Sequence, residues 1–81
     1  MSPSLSQAFG LAVGEVRVAR GLSQDALAAT AGIDRAHIGH LERATKSPTL
    51  TTVEKLADAL EVAPSRLFAR AEEIMERDPL A

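Results

Sequence analysis

The sequence predicts an all-α fold of five short helices. Apolar residues recur at three- and four-residue spacing along five successive segments, and capping or breaking residues separate those segments. No stretch alternates apolar and polar residues with period two, so strands are not expected.

Leu5, Ala8, Phe9, Ala12, Val13, Val16 and Ala19 place the first helix at about residues 5 to 20, with Ser4 or Ser6 as N-cap and Gly21 as terminator. Gly10 and Gly14 each weaken it by roughly 1 kcal/mol relative to alanine, so packing must hold it. Ser23 caps a second, short helix over 24–31, with Leu27, Ala28 and Ala31 inward and Gly32 suited to the left-handed position after its end. Asp34 caps a third over 35–43, with Ile38 and Leu41 inward and the remaining faces free. Ser47-Pro48 breaks the pattern and Thr49 caps the fourth helix, built on Leu50, Val53, Leu56, Ala57 and Leu60. Ala63-Pro64 opens the fifth, over 64–77, whose stripe of Leu67, Phe68, Ala71, Ile74 and Met75 is stopped by Asp78-Pro79.

With 81 residues, of which 46% are hydrophobic and 25% charged, the chain is expected to form one small domain spanning residues 1–81, with no room for a separate sensor. The absence of cysteine excludes disulfides and thiolate zinc sites and fits a reducing, cytoplasmic setting. No apolar run approaches a membrane span and no signal peptide opens the chain, so neither membrane nor export is expected. The net charge of −2 gives no global argument for a nucleic-acid partner, so local patterning must decide. No nucleophile elbow, phosphate loop or metalloprotease helix is present, and an enzyme, a cofactor and a small-molecule ligand are not expected.

Between Gln24 and Leu41 the spacing is that of a helix-turn-helix: small Ala28 permits close approach, Gly32 makes the turn, and Leu27, Ile33, Ile38 and Leu41 close the inner faces. The words GLSQDALAATAGIDRAHIGHLER and SPTLTTVEKLADALEVAPSRLF resemble the phage-repressor (Cro/CI, or XRE) family, and DRAHIGHLER with the short length is similar to the controller proteins of restriction-modification systems. The resemblance implies a lambda-repressor-like DNA-binding domain. It places Gln24 on a phosphate at the start of the second helix and Arg35, Ala36 and His40 against base edges, with His37 and Gly39 flanking them. It further assigns Arg43, Lys46 and Ser47 to phosphates, Thr49 to Thr52 to backbone contacts, and Arg17 with Glu42 to an ion pair tying the first helix to the third. Arg35 is the first choice for base reading, since a guanidinium matches guanine O6 and N7, while Gly39, having no side chain, is expected to let the helix sit closer to the groove floor. His37 and His40 donate to bases or phosphates, more strongly when protonated.

The expected function is that of a transcriptional regulator, nucleoid-associated, that binds double-stranded DNA as a homodimer on a near-palindromic operator, as controller-type activator or repressor. Part of the stripe Leu67, Phe68, Ala71, Ile74 and Met75, with neighbouring residues of the fourth helix or its loop, is expected to form the dimer interface, because so small a chain offers modest apolar area; the plainer reading is that the stripe packs only on its own chain. Simpler readings stand beside these. Arg35, Arg43 and Lys46 are ordinary surface charges if no DNA is bound, and a zinc site at His37 and His40 lacks supporting ligands. A helix-turn-helix serving protein recognition, such as an antitoxin, is the alternative from another functional class. Ala44-Thr45 stands where the family usually carries glycine or asparagine, so the end of the third helix is left open by the sequence.

Overall fold

The computed structural model describes residues 3–77. Among them the order is α1 (Leu5–Ala19), α2 (Gln24–Ala31), α3 (Arg35–Glu42), α4 (Leu50–Leu60) and α5 (Pro64–Arg77), with no strand. The expected stop at Asp78-Pro79 lies outside the described residues. None of the helices is long and apolar enough to cross a membrane.

α1, α2 and α4 each begin with a side-chain cap. Ser4 closes a capping box on α1, its hydroxyl accepting from the Gln7 amide at 3.1 Å while its own amide donates to the Gln7 side chain at 2.8 Å. Ser23 accepts from the Ala26 amide at 3.0 Å and Thr49 from the Thr52 amide at 3.1 Å. Asp34 departs from expectation: it holds the N-cap position of α3 but makes no side-chain cap hydrogen bond. Gly32 ends α2 at φ 69°, as the turn requires.

The end of α3 is settled by Ala44, which takes φ 60° where glycine is usual. Its amide donates to the Leu41 carbonyl at 3.1 Å and the Thr45 amide to the His40 carbonyl at 2.9 Å, the paired bonds of a Schellman turn. The helix therefore stops despite lacking glycine, and an alanine carries the strained position.

A single core joins all five helices, with Phe9, Leu27, Ile38, Leu41, Leu56, Leu60 and Leu67 almost fully enclosed. Phe9 and Phe68 meet at a centroid separation of 5.1 Å and a tilt of 36°. α5 lies along α1, and Ala8 and Ala12 of α1 are fully buried.

This packing corrects the expected dimer stripe. Leu67 and Ala71 are wholly buried and Ile74 is 9% exposed, all within the chain's own core, so they are not available to a second chain; Phe68 and Met75 remain half-buried against that core. Exposed apolar side chains lie elsewhere, with Leu50 (82% exposed) and Leu5 (48%) around a depression that Phe68 and Val53 also line, and Leu11 and Val18 apart from it on α1.

Gly10 also means more than a weakened helix. A Cβ at this position would overlap the backbone carbonyl of Leu41, so the bare glycine is what lets α1 pass against the end of α3. At Gly14 the same atom would only touch the Glu42 side chain at 3.4 Å.

Candidate nucleic-acid interface

α2 and α3 form the helix-turn-helix, and α3 is held from behind. Ile38 is fully buried and Leu41 2% exposed, whereas Arg35, Ala36 and Arg43 are exposed and His37 and His40 half-exposed on its other faces. The eight-residue helix thus separates packing residues from residues free to meet another molecule.

The rear of this unit is fixed by a network around Glu42. Arg17 Nε donates to Glu42 Oε2 at 2.7 Å and Nη2 to Oε1 at 3.2 Å, while Arg17 Nη1 donates to the Leu22 carbonyl at 2.8 Å. The side chains of Arg17 and Glu42 are only 16% and 12% exposed, which makes this an ion pair shielded from solvent. Gln24 joins it, donating from Nε2 to Glu42 Oε1 at 2.9 Å. One carboxylate therefore ties the end of α1, the start of α2 and the end of α3 together. Sequence reasoning assigned Gln24 to a phosphate alone; the structure commits one of its amide hydrogens inward, leaving the other amide hydrogen and the carbonyl oxygen for any outside partner.

The outward side contains a second arrangement that spacing alone did not suggest. Arg35 Nε pairs with Asp25 Oδ1 at 3.3 Å, joining the first turns of α3 and α2 across open surface. Gly39 is buried although it lies on the side of α3 away from the core, because Arg43 and Arg35 reach over it from opposite directions. A Cβ built there would meet Arg43 Nη1 at 3.1 Å and Arg35 Nη1 at 3.4 Å. The expectation that Gly39 lets the helix approach a groove floor is thereby changed: its open space is filled by two guanidinium groups.

His40 contacts Thr45 Oγ1 through Nδ1 at 3.0 Å, and that hydroxyl donates to the His40 carbonyl at 3.2 Å. Having spent its proton on the carbonyl, the hydroxyl accepts from Nδ1, which leaves Nε2 of the neutral ring as an outward acceptor. Lys46 is exposed and makes no ion pair among the described residues. Ser47 shares a 3.0 Å hydrogen bond with Ser6, fixing the loop before α4 to the start of α1, and Thr49 and Thr52 meet through their hydroxyls at 3.1 Å. No group of three or more histidine, cysteine or acidic residues able to hold a metal occurs among the described residues.

Away from this face, Arg70 binds Glu15 at 2.6 Å and Glu73 at 3.0 Å. The hydrogen bond from Arg70 lowers the Glu15 carboxyl below its ordinary value of 4.5, against a smaller opposing effect of burial, and Arg70 is itself raised by its two carboxylate partners.

Comparison with known proteins matches residues 13–67 to the helix-turn-helix family model HTH_3. Over 69 residues the chain is 32% identical to the control protein C.BamHI of Bacillus amyloliquefaciens, covering 84% of this chain and 85% of that one. The crystal structure of the restriction-modification controller protein C.AhdI from Aeromonas hydrophila superposes with a TM-score of 0.74 at 41% identity, covering 75% of this chain and 92% of that chain. The fold is also that of C.Esp1396I bound to a 25 base pair operator site, at a TM-score of 0.83 and 23% identity over 93% of this chain and 99% of that one. The match to the family model spans both helices of the turn and the residues that pack them, and the chain belongs to this helix-turn-helix family.

Proposed function

We propose that this chain is a sequence-specific DNA-binding transcriptional regulator of the controller type, acting as a homodimer on a near-palindromic operator. The observation that carries this is the outward side of α3, where Arg35, Ala36, His40 and Arg43 remain accessible while Ile38 and Leu41 anchor the helix from behind. The likeness to two control proteins supports it, and C.Esp1396I holds an operator on the same fold. Arg35 reads a guanine, and Ala36 and His40 meet neighbouring base edges. Gln24, Lys46, Ser47, Thr49 and Thr52 contact the sugar-phosphate backbone.

A dimer places two such helices about 34 Å apart, one turn of the duplex. Its interface is better drawn around Leu50, Leu5 and Phe68 than along the buried side of α5. With no second chain the discrimination of one short helix is small, so occupancy follows protein concentration through dimerisation.

Selection of binding sites from random duplexes tests this reading. A two-fold related sequence is expected, and Arg35→Ala should lose one guanine preference per half-site; retention of no oligonucleotide even at low salt would reject the function. A protein-recognition role is favoured by one observation, the exposed Leu11 and Val18 along a groove on α1, at 50% and 65% exposure. Salt separates the two: DNA affinity falls with a log-log slope of about −0.9 per phosphate contacted, whereas an apolar interface hardly responds.

A further inference from the structure

Gly39 and the two arginines above it carry an inference that rests on the DNA-binding reading and extends it. Arg35 and Arg43 stand four residues to either side of Gly39, one helical turn each way, on the same face of α3. Their guanidinium groups nonetheless converge: Nη1 of Arg43 at 3.1 Å, Nη2 of Arg43 at 3.5 Å and Nη1 of Arg35 at 3.4 Å surround the single point where a Cβ would sit. Two like charges drawn to one point repel, and only one of them has a counter-charge, Asp25 beside Arg35. Arg43 makes no ion pair among the described residues. Such a pair gains most from a ligand surface dense in hydrogen-bond acceptors lying across both groups.

We propose that Gly39 and Arg43 are specificity-determining residues, Gly39 forming a seat on which Arg35 and Arg43 act as one paired reader of two neighbouring guanines. Each guanine presents O6 and N7 as acceptors in the major groove, and stacked bases on one strand lie about 3.4 Å apart, close enough for adjoining guanidinium groups to address both. Asp25 holds Arg35 through Nε and so leaves its terminal nitrogens to face the base. Although Arg35 and Arg43 are rooted at the two ends of α3, their guanidinium groups meet over Gly39, one turn from the N-terminal residues by which a recognition helix reaches base edges, and this favours base edges over phosphate. Arg43 is thereby moved from the phosphate role that family resemblance implied to base reading, and Gly39 from a passive gap to a positioning residue.

The test is selection from random duplexes with wild type, Arg43→Ala and Gly39→Ala, alongside thermal melts and salt titrations of the selected site. Alanine suits a helix interior, so Gly39→Ala is expected to melt no lower than wild type. Wild type should enrich two adjacent guanines in each half-site. Arg43→Ala should keep one and lose preference at the other by about 5- to 150-fold, the usual range for one bidentate contact. Gly39→Ala should weaken discrimination at both, because its methyl group displaces both guanidinium groups. The proposal is overturned if Arg43→Ala weakens all sequences equally and reduces the salt slope by about one, the signature of a phosphate contact. It is equally overturned if Gly39→Ala selects the wild-type sequence with unchanged preference. Wild type enriching no sequence at all is a different result, which removes the DNA-binding reading and this inference with it.

Discussion

Gln24 donates its side-chain amide to Glu42 at 2.9 Å, sharing the carboxylate that Arg17 grips through two nitrogens. A residue at the edge of the proposed DNA surface is thus bonded to the ion pair that fastens α3 to α1. Removing members of this network should have graded effects. Arg17→Ala is expected to destabilise the chain by about 3 kcal/mol, because Glu42 keeps a shielded charge without its main partner. Gln24→Ala, losing one hydrogen bond to a charged group, should cost about 1 to 2 kcal/mol. Urea denaturation of both variants checks the order, and a larger loss for Gln24→Ala would contradict it.

The two glycines of α1 should respond in opposite ways. Gly10→Ala forces a methyl group into the Leu41 carbonyl and should cost about 1 to 3 kcal/mol despite the better helix propensity of alanine. At Gly14 the new methyl reaches only ordinary contact with Glu42, so the propensity gain of up to about 1 kcal/mol should survive. Thermal melts showing both variants stabilised would mean that α1 and α3 separate more readily than their packing indicates.

Ala44 at φ 60° is a site where stability can be added. Ala44→Gly relieves the left-handed strain of about 1 to 2 kcal/mol, partly offset by the greater freedom of glycine in the unfolded chain, for a net gain of about 0.5 to 1 kcal/mol. A lower melting temperature for this variant would show that the turn after α3 is not held in the conformation described.

Much of this was legible beforehand, and the exceptions share a cause. Ser23, Thr49 and Gly32 announce helix ends through chemistry confined to a few neighbouring residues, so spacing suffices to find them. The Arg17 and Glu42 pair was suggested by resemblance, but the addition of Gln24 depends on how α2 turns relative to α1, which no local pattern encodes. The stripe on α5 was read correctly as one apolar face; whether that face meets its own chain or a second one depends on long-range packing, seen in the enclosure of Leu67 and Ala71 and in the contact of Phe68 with Phe9. Gly39 looked like a gap because sequence shows the absent side chain and not the arginines that reach over it from either side.

Acid should weaken the link between α1 and α5. Arg70 lowers the Glu15 carboxyl in the folded chain, so its contribution is present above the ordinary value of 4.5 and is lost as pH falls below that toward the lowered folded value. Glu15→Gln should therefore melt below wild type at neutral pH, with the difference shrinking as the medium becomes more acidic than 4.5. Both side chains are partly open to water, so the effect is small and salt-sensitive. A difference that stays constant from neutral to strongly acidic buffer would rule out the pair as its source.

The hydrogen bonds of Thr45 specify which nitrogen of His40 carries the proton. In mildly alkaline buffer, long-range nitrogen-proton spectra should show the Nδ1-protonated ring, and Thr45→Val should release it to the more usual Nε2-protonated form. Observation of the Nε2 form in the unaltered chain would break the arrangement described at the end of α3.

Ile38 and Leu41 bear the weight of α3 while its accessible side chains support almost none of the core. Exchanging those accessible residues is therefore inexpensive for the scaffold, and a lineage carrying this chain has a route to new targets in which recognition drifts while folding is inherited intact. The same property makes the short helix a natural position for grafting the outward residues of one regulator onto the frame of another.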